Sequence, residues 1–426
     1  MYKCKFSKRI NGEITVPGDK SITHRGIMLG SLAEGKTELK GFLNGADCMS
    51  TLSCFEKMGI EHKISGDIIT VEGKGLHGLS SPSVTLDTGN SGTTTRLISG
   101  ILSGQSFSSR LSGDASLNSR PMKRVIEPLS LMGANIVSEN GNGCAPLLIN
   151  PADLKPIHYN SPVASAQVKS AILLAGLYAE GETSVTEPVL SRDHTERMVN
   201  GFGGKVVSDN NTATITGLTK LYGQSITIPG DISSAAYFIA AGLLADNGEL
   251  LINNVNINKT RAGILEVVRM MGGNVSFENK RTVSGEEVSD LLISPSSLKG
   301  VTVGKDLMPS LIDEIPVIAV MAAFAEGETV IKDASELRVK ESDRIKTITK
   351  NLLTLGADIM ETEDGMIIRG GKELHGGTIE SFDDHRIAMA FSVAGLNIKE
   401  TVEIDRPDCV NISYPDFYKT LEGLIR

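Results

Sequence analysis

The chain has no tryptophan, only 4% aromatic residues, no long apolar run and a shortage of positive charge, with 42 Lys and Arg against 51 Asp and Glu. The formal net charge of -9 argues against general nucleic-acid affinity, which needs a basic face to release counterions from phosphates. Any anionic ligand must then be met by a local cluster of Lys and Arg. The longest apolar runs, Ala235–Ala245 and Ile315–Ala325, fall short of the ~20 residues that span a bilayer, so both read as buried helices and no membrane partner is expected. Cys4, Cys48, Cys54, Cys144 and Cys409 are scattered and form no C-x-x-C pair. That spacing argues against a disulfide framework or a zinc site and for reduced thiols in the cytosol. The basic N-terminus passes directly into a strand-like alternation with no apolar h-region, so a cytoplasmic, unexported chain is expected.

What is present is an ordinary globular composition, 40% hydrophobic and 22% charged, with 45 glycines in 426 residues. At ~100–200 residues per domain the length allows two to four domains. Repetition narrows that range. Six times an apolar, helix-like run ends in small residues and leads into a short strand, as in LGSLAEGKTELKGF (29–42) and VMAAFAEGETVIKDA (320–334). The shared position is Gly35, Gly104, Gly181, Gly248, Gly327 and finally Lys399. A second signal interleaves with it, a helix ending at glycine before an alternating strand, as in LSLMGANIVS and VRMMGGNVSF. Each unit therefore reads strand, helix, strand, helix, strand, strand, an α/β pattern. These units are longer than the usual 20 to 45 residues of a solenoid repeat, so they are expected to pack around one another. A second likeness, EITVPGDKSITHRGIML (13–29) against SITIPGDISSAAYFIAA (225–241), places Pro-Gly-Asp turns where two three-unit domains would exchange the chain. The expected domains are 20–229, and 1–19 together with 230–426.

Charged or polar residues interrupt the small, apolar helices near six helix starts. These are Lys20, Ser21 and Arg25; Asn90, Ser91 and Gly92 ahead of Arg96; Ser165 and Gln167; Asp313 and Glu314 before Pro316; Arg338 to Arg344; and His385 and Arg386 after Asp383 and Asp384. A helix N-terminus offers unsatisfied N–H donors and partial positive charge, so several such ends could serve a polyanion. Ser21, Ser342, Asp383 and Asp384 are expected caps. Asp313 admits two readings, a helix cap or a general base ionised beside cations.

In order, PGDKSITHR (17–25), LDTGNSGTTTR (86–96), LSRDHTERM (190–198), RVKESDR (338–344) and DDHRIAMAFS (383–392) closely resemble the 5-enolpyruvylshikimate-3-phosphate synthase family, from about Val16 to Tyr418. The resemblance implies the two-domain inside-out α/β barrel of enolpyruvyl transferases, each domain three βαβαββ units, closing over a cleft. It implies transfer of the enolpyruvyl group of phosphoenolpyruvate to the 5-hydroxyl of shikimate 3-phosphate, by a monomer, with no metal or organic cofactor. Carried over by motif, shikimate 3-phosphate falls to Lys20, Ser21, Arg25, Ser165, Gln167, Ser191, Asp313 and Lys340. Phosphoenolpyruvate falls to Lys20, Gly92, Arg120, Gln167, Arg344 and Arg386. Asp313 is implied as base, with Glu341 or Lys20 supplying the methylene proton.

Departures from the family pattern are Ile412 where many relatives have lysine, Glu336 in place of asparagine, Ala166 in place of serine, and Arg192 and His194 after Ser191. They resemble those of the bacterial branch called class II. Gly92, which leaves room for glyphosate in the family, is retained. A sister enzyme acting on UDP-N-acetylglucosamine is the nearest alternative, but its mobile-loop cysteine has no counterpart in SGDASLNSRPM (112–122). A non-catalytic anion-binding scaffold is the other.

Overall fold

The structure, a computed structural model, describes residues 1–425. The chain forms two compact units. One, the N-unit, comprises Gly18–Ile228 and Val283–Glu286; the other, the C-unit, comprises Met1–Pro17, Pro229–Thr282 and Glu287–Arg426. Each has its own apolar core.

The N-unit contains three four-stranded sheets of one pattern, in which a parallel pair is extended by two antiparallel strands. Leu86–Asp87 runs parallel to Ser109–Ser112, which pairs antiparallel with Leu147–Asn150 and then Asn135–Ser138. His158–Asn160, Glu182–Thr186, Thr212–Thr216 and Val206–Asp209 repeat that order. In the remaining sheet the parallel partner of Glu34–Lys40 is Ser225–Thr227, drawn from the far end of the segment.

The C-unit follows the same plan with the complementary exchange. Gly12–Thr15 lies parallel to Leu250–Asn256 in the sheet completed by Glu286–Ser294 and Asn274–Val283. Thr302–Val303, Glu328–Ile331, Met366–Arg369 and Asp358–Glu361 form the second sheet. The last differs from the expected βαβαββ unit. Gly377–Ile379 and Val402–Ile404 take Tyr2–Lys3 as third strand, and the helix Phe417–Leu424 stands where a final strand pair is expected.

Three helices in each unit are buried on nearly all sides: Lys20–Leu32, Gly92–Leu102 and Ala166–Gly176 in one, Ile232–Leu244, Ile315–Phe324 and His385–Leu396 in the other. The two apolar runs singled out in the sequence lie in this set. A helix enclosed in this way needs small residues where backbones approach, which accounts for the glycine-rich, aromatic-poor composition. A Cβ on Gly100, for instance, would collide with the Ala171 carbonyl of the neighbouring helix. The repeated glycine after each such helix has a backbone cause instead. Gly35, Gly181, Gly248 and Gly327 have φ of +90°, +118°, +105° and +92°, a region open to glycine at little cost. Gly104 is the exception, retained because a Cβ would enter the Tyr178 ring.

Candidate active site

Five of the six enclosed helices carry a side-chain N-cap. Asp19, Ser91, Ser165, Asp231 and Asp384 accept from the backbone N–H of Ile22, Thr94, Val168, Ser233 and Arg386 at 2.9, 3.1, 3.4, 2.9 and 3.0 Å. In three of these the cap is a carboxylate, which already complements the helix dipole. The helices beginning at Gly92 and Ala166, both in the N-unit, have the neutral caps Ser91 and Ser165.

Around those two ends the N-unit gathers its cations. Arg25, one helical turn from Ser21, is buried and donates through Nε to Thr195 Oγ1 at 2.7 Å, through Nη2 to Ser170 Oγ at 2.8 Å and through Nη1 to the Ser21 carbonyl at 3.0 Å. Burial lowers it to about 10, with Glu196 and Asp19 opposing, so it stays charged at neutral pH. Lys20 Nζ pairs with the carboxylate of Asp47. Arg120 donates to the carbonyl and side-chain oxygens of Asn90, immediately ahead of Ser91. Gly92 opens the helix between two guanidinium groups: a Cβ there would lie 2.8 Å from Arg96 Nη1 and 3.7 Å from Arg120 Nη1. Arg96 in turn donates to Gln167 Oε1 at 2.6 Å. Ser165 and Ser191 are joined through one buried carboxylate, Glu187, which accepts from the N–H of each at 2.8 and 3.2 Å.

The C-unit holds a second cluster, centred on Asp313. This residue lies in a short 3-10 turn, Ile312–Glu314, that leads into Ile315–Phe324, and Glu314 occupies the cap position. Of the two readings of Asp313, the cap is therefore excluded. Lys340 Nζ and Arg344 Nη1 stand 3.6 and 3.5 Å from its Oδ1, and Arg386 Nη2 is 3.8 Å from Oδ2. Arg344 Nη2 also donates to Glu341 at 2.7 Å. Asp313, Lys340 and Glu341 keep 14%, 27% and 25% side-chain exposure, and Arg344 keeps none in this structure. Arg344 is fixed by buried Asp384, donating from Nε at 2.8 Å and from Nη2 at 3.1 Å. Burial opposes the charge on Arg344, but Asp384 and Glu341 outweigh it and raise its pKa. Arg386 is likewise raised against burial, by Asp313 first.

The profile of the EPSP synthase (3-phosphoshikimate 1-carboxyvinyltransferase) family matches residues 4–421. The chain belongs to this family. It is 54% identical over 420 residues to the 3-phosphoshikimate 1-carboxyvinyltransferase of Thermoanaerobacter sp. (strain X514), covering 99% of both chains. To the Geotalea daltonii enzyme of the same name it is 52% identical over 424 residues, covering 100% of this chain and 99% of the other. Among solved structures, the EPSP synthase of Acinetobacter baumannii superposes with a TM-score of 0.88 at 45% identity, over 99% of this chain and 97% of the other. The enolpyruvyl transferase NikO of Streptomyces tendae gives 0.79 at 17% identity, over 99% and 96%, a likeness of fold alone. The fold is therefore the inside-out α/β barrel of the enolpyruvyl transferases.

Two expected caps fall one or two residues away from their true position. Asp19, not Ser21, caps Lys20–Leu32, and Asp343, not Ser342, caps Arg344–Thr354. The Ser342 hydroxyl donates to Asp384 Oδ2 at 3.0 Å instead. Of the departures from the family pattern, Ile412 is a half-buried residue closing the 3-10 turn Pro407–Ile412, and His194 is fully buried. His194 Nδ1 lies 2.8 Å from Glu286 Oε1. Lys169 and Glu187 are residues at the cluster that the motifs do not single out, and Arg96 closes a motif without its contact to Gln167 being evident there. A lysine inside the apolar run SPVASAQVKSAILLAG was the available signal, because a buried ammonium requires a partner.

Proposed function

We propose that this protein is a 3-phosphoshikimate 1-carboxyvinyltransferase, transferring the enolpyruvyl group of phosphoenolpyruvate to the 5-hydroxyl of shikimate 3-phosphate and releasing phosphate, on the route to chorismate and aromatic amino acids. The observation that carries this reading is Asp313, a partly exposed carboxylate with three cations, Lys340, Arg344 and Arg386, 3.5 to 3.8 Å from its oxygens. A base among cations suits an alcohol that must attack an anionic partner, since the same cations balance the charge of the incoming carboxylate and phosphate.

In this reading Lys20, Ser21, Arg25, Ser165, Gln167 and Ser191 hold shikimate 3-phosphate, with Lys340 and Asp313 at its ring hydroxyls. Lys20, Gly92, Arg120, Gln167, Arg344 and Arg386 hold phosphoenolpyruvate. Gly92 suits that task because a helix N-terminus without a side chain, set between two guanidinium groups, admits an oxyanion closely. Asp313 takes the proton of the 5-hydroxyl as its oxygen bonds to the central carbon of phosphoenolpyruvate, while Glu341 or Lys20 protonates the methylene. The tetrahedral intermediate then loses a methyl proton and its phosphate, restoring the double bond. Positioning and charge supply most of the acceleration.

The domains at work are 20–229, and 1–19 with 230–426, in a cytoplasmic monomer. The test is phosphate release by purified protein. Release is expected only when phosphoenolpyruvate and shikimate 3-phosphate are both present, and release with UDP-N-acetylglucosamine instead would assign the protein to the sister reaction.

A further inference from the structure

Behind Ser165 and Ser191, two of the residues assigned to shikimate 3-phosphate, lies a buried ion triad. Glu187, 3% exposed, directly follows the strand Glu182–Thr186. Its Oε1 accepts from the Ser165 N–H at 2.8 Å. Its Oε2 accepts from the Ser191 N–H at 3.2 Å, the Ser191 hydroxyl at 2.7 Å and Lys169 Nζ at 3.0 Å. Lys169, 1% exposed on the helix Ala166–Gly176, also reaches Glu196 Oε1 at 2.8 Å and the Ser191 carbonyl at 3.2 Å. Burial would lower Lys169, but Glu196 and Glu187 outweigh it and raise its pKa, so the ammonium is held charged.

Three buried charges are a costly way to stabilise a fold, because apolar residues of similar volume commonly do as well. Their geometry serves the serines. We propose that Glu187, held by Lys169, is a positioning residue that ties the Ser191 segment to the N-cap of Ala166–Gly176 and so sets the spacing of the Ser165 and Ser191 hydroxyls, which receive the substrate phosphate. This rests on the functional reading above. The Ser165 hydroxyl oxygen accepts from the Val168 N–H, leaving its own hydrogen for the phosphate. The Ser191 hydroxyl can turn from Glu187 to the phosphate while its N–H keeps the segment anchored.

Glu187→Gln tests the proposal, because an amide presents oxygen on one side only. Its NH2 group must then face either the Ser165 N–H or the donors of Ser191 and Lys169, and one serine loses its anchor. The expected result is a KM for shikimate 3-phosphate raised on the order of tenfold, the effect of one lost hydrogen bond to a charged group. The KM for phosphoenolpyruvate and the kcat should stay within about threefold, as for loss of binding made equally in ground and transition states. Glu187→Asp keeps the charge on a shorter stem and should give an intermediate KM for shikimate 3-phosphate; it also serves if Glu187→Gln does not fold. An unchanged KM in the variants would overturn the proposal. So would a lowered one, which would mean that the lost negative charge outweighs position. Parallel loss of kcat, both KM values and thermal stability would also overturn it, by showing a merely structural role. Wild-type protein that fails to turn over these substrates would overturn the functional reading itself, and this inference with it.

Discussion

Arg96 Nη1 donates to Gln167 Oε1 at 2.6 Å, and the same nitrogen lies 2.8 Å from where a Cβ on Gly92 would stand. Gly92→Ala should therefore act through Arg96: the methyl displaces a flexible guanidinium, which releases Gln167. We expect an unfolding midpoint close to wild type and a KM for phosphoenolpyruvate raised roughly tenfold, the equivalent of one hydrogen bond to a charged group. Arg96→Ala should move the same constant. If only the Gly92 variant does, the methyl obstructs the ligand directly.

Asp313→Asn removes the base and preserves shape. Steady-state kinetics should show kcat reduced by about 10²–10⁴, the usual contribution of general acid–base catalysis, with smaller changes in either KM. A variant of near-normal kcat would take the base role away from Asp313.

The Arg344–Asp384 pair makes a claim about stability. Asp384 is fully buried, which alone would raise its pKa, but Arg344 overrides that and holds the carboxyl below its usual value. A depressed carboxyl stabilises the fold above the unfolded pKa of about 4 and loses that contribution as pH falls through the folded value. Asp384→Asn leaves Arg344 without its buried counterion and should destabilise the protein at pH 7 by about 3–5 kcal/mol. Denaturant unfolding from pH 7 to pH 3 should show a shallower acid loss in the variant than in wild type. Parallel curves would mean that the pair carries no acid-sensitive stability.

Burial pushes the Cys4, Cys54 and Cys409 thiols up to about 12, so they are thiols, not thiolates, at pH 8. Alkylation of native protein followed by peptide mapping should mark half-buried Cys144 well before Cys54. Early modification of Cys54 would show that its surroundings open readily.

Much of this arrangement is legible in the sequence because the fold is repetitive. Gly35, Gly181, Gly248 and Gly327 recur because four of the six units leave their helix through the same positive-φ turn, and Asp384 reads correctly as a cap because its carboxylate accepts from the first turn. At Ser21 and Ser342 residue type misleads, because a neighbouring Asp competes for the same N–H groups and backbone angles decide that contest. The role of Glu187 and the contact of Arg96 with Gln167 are not legible for a different reason. Lys169 lies 18 residues before Glu187 and Gln167 lies 71 residues after Arg96, so no local spacing reports either contact, and Ser191, four residues past Glu187, meets it across an irregular segment with no helical or strand period to read.

Enolpyruvyl transfer to the 5-oxygen of shikimate 3-phosphate can be followed by proton NMR of the reaction mixture. With both substrates present, vinyl methylene signals of a new enol ether at the 5-position should grow in step with free phosphate. Vinyl signals on UDP-N-acetylglucosamine instead, or phosphate released with no new enol ether, would contradict it.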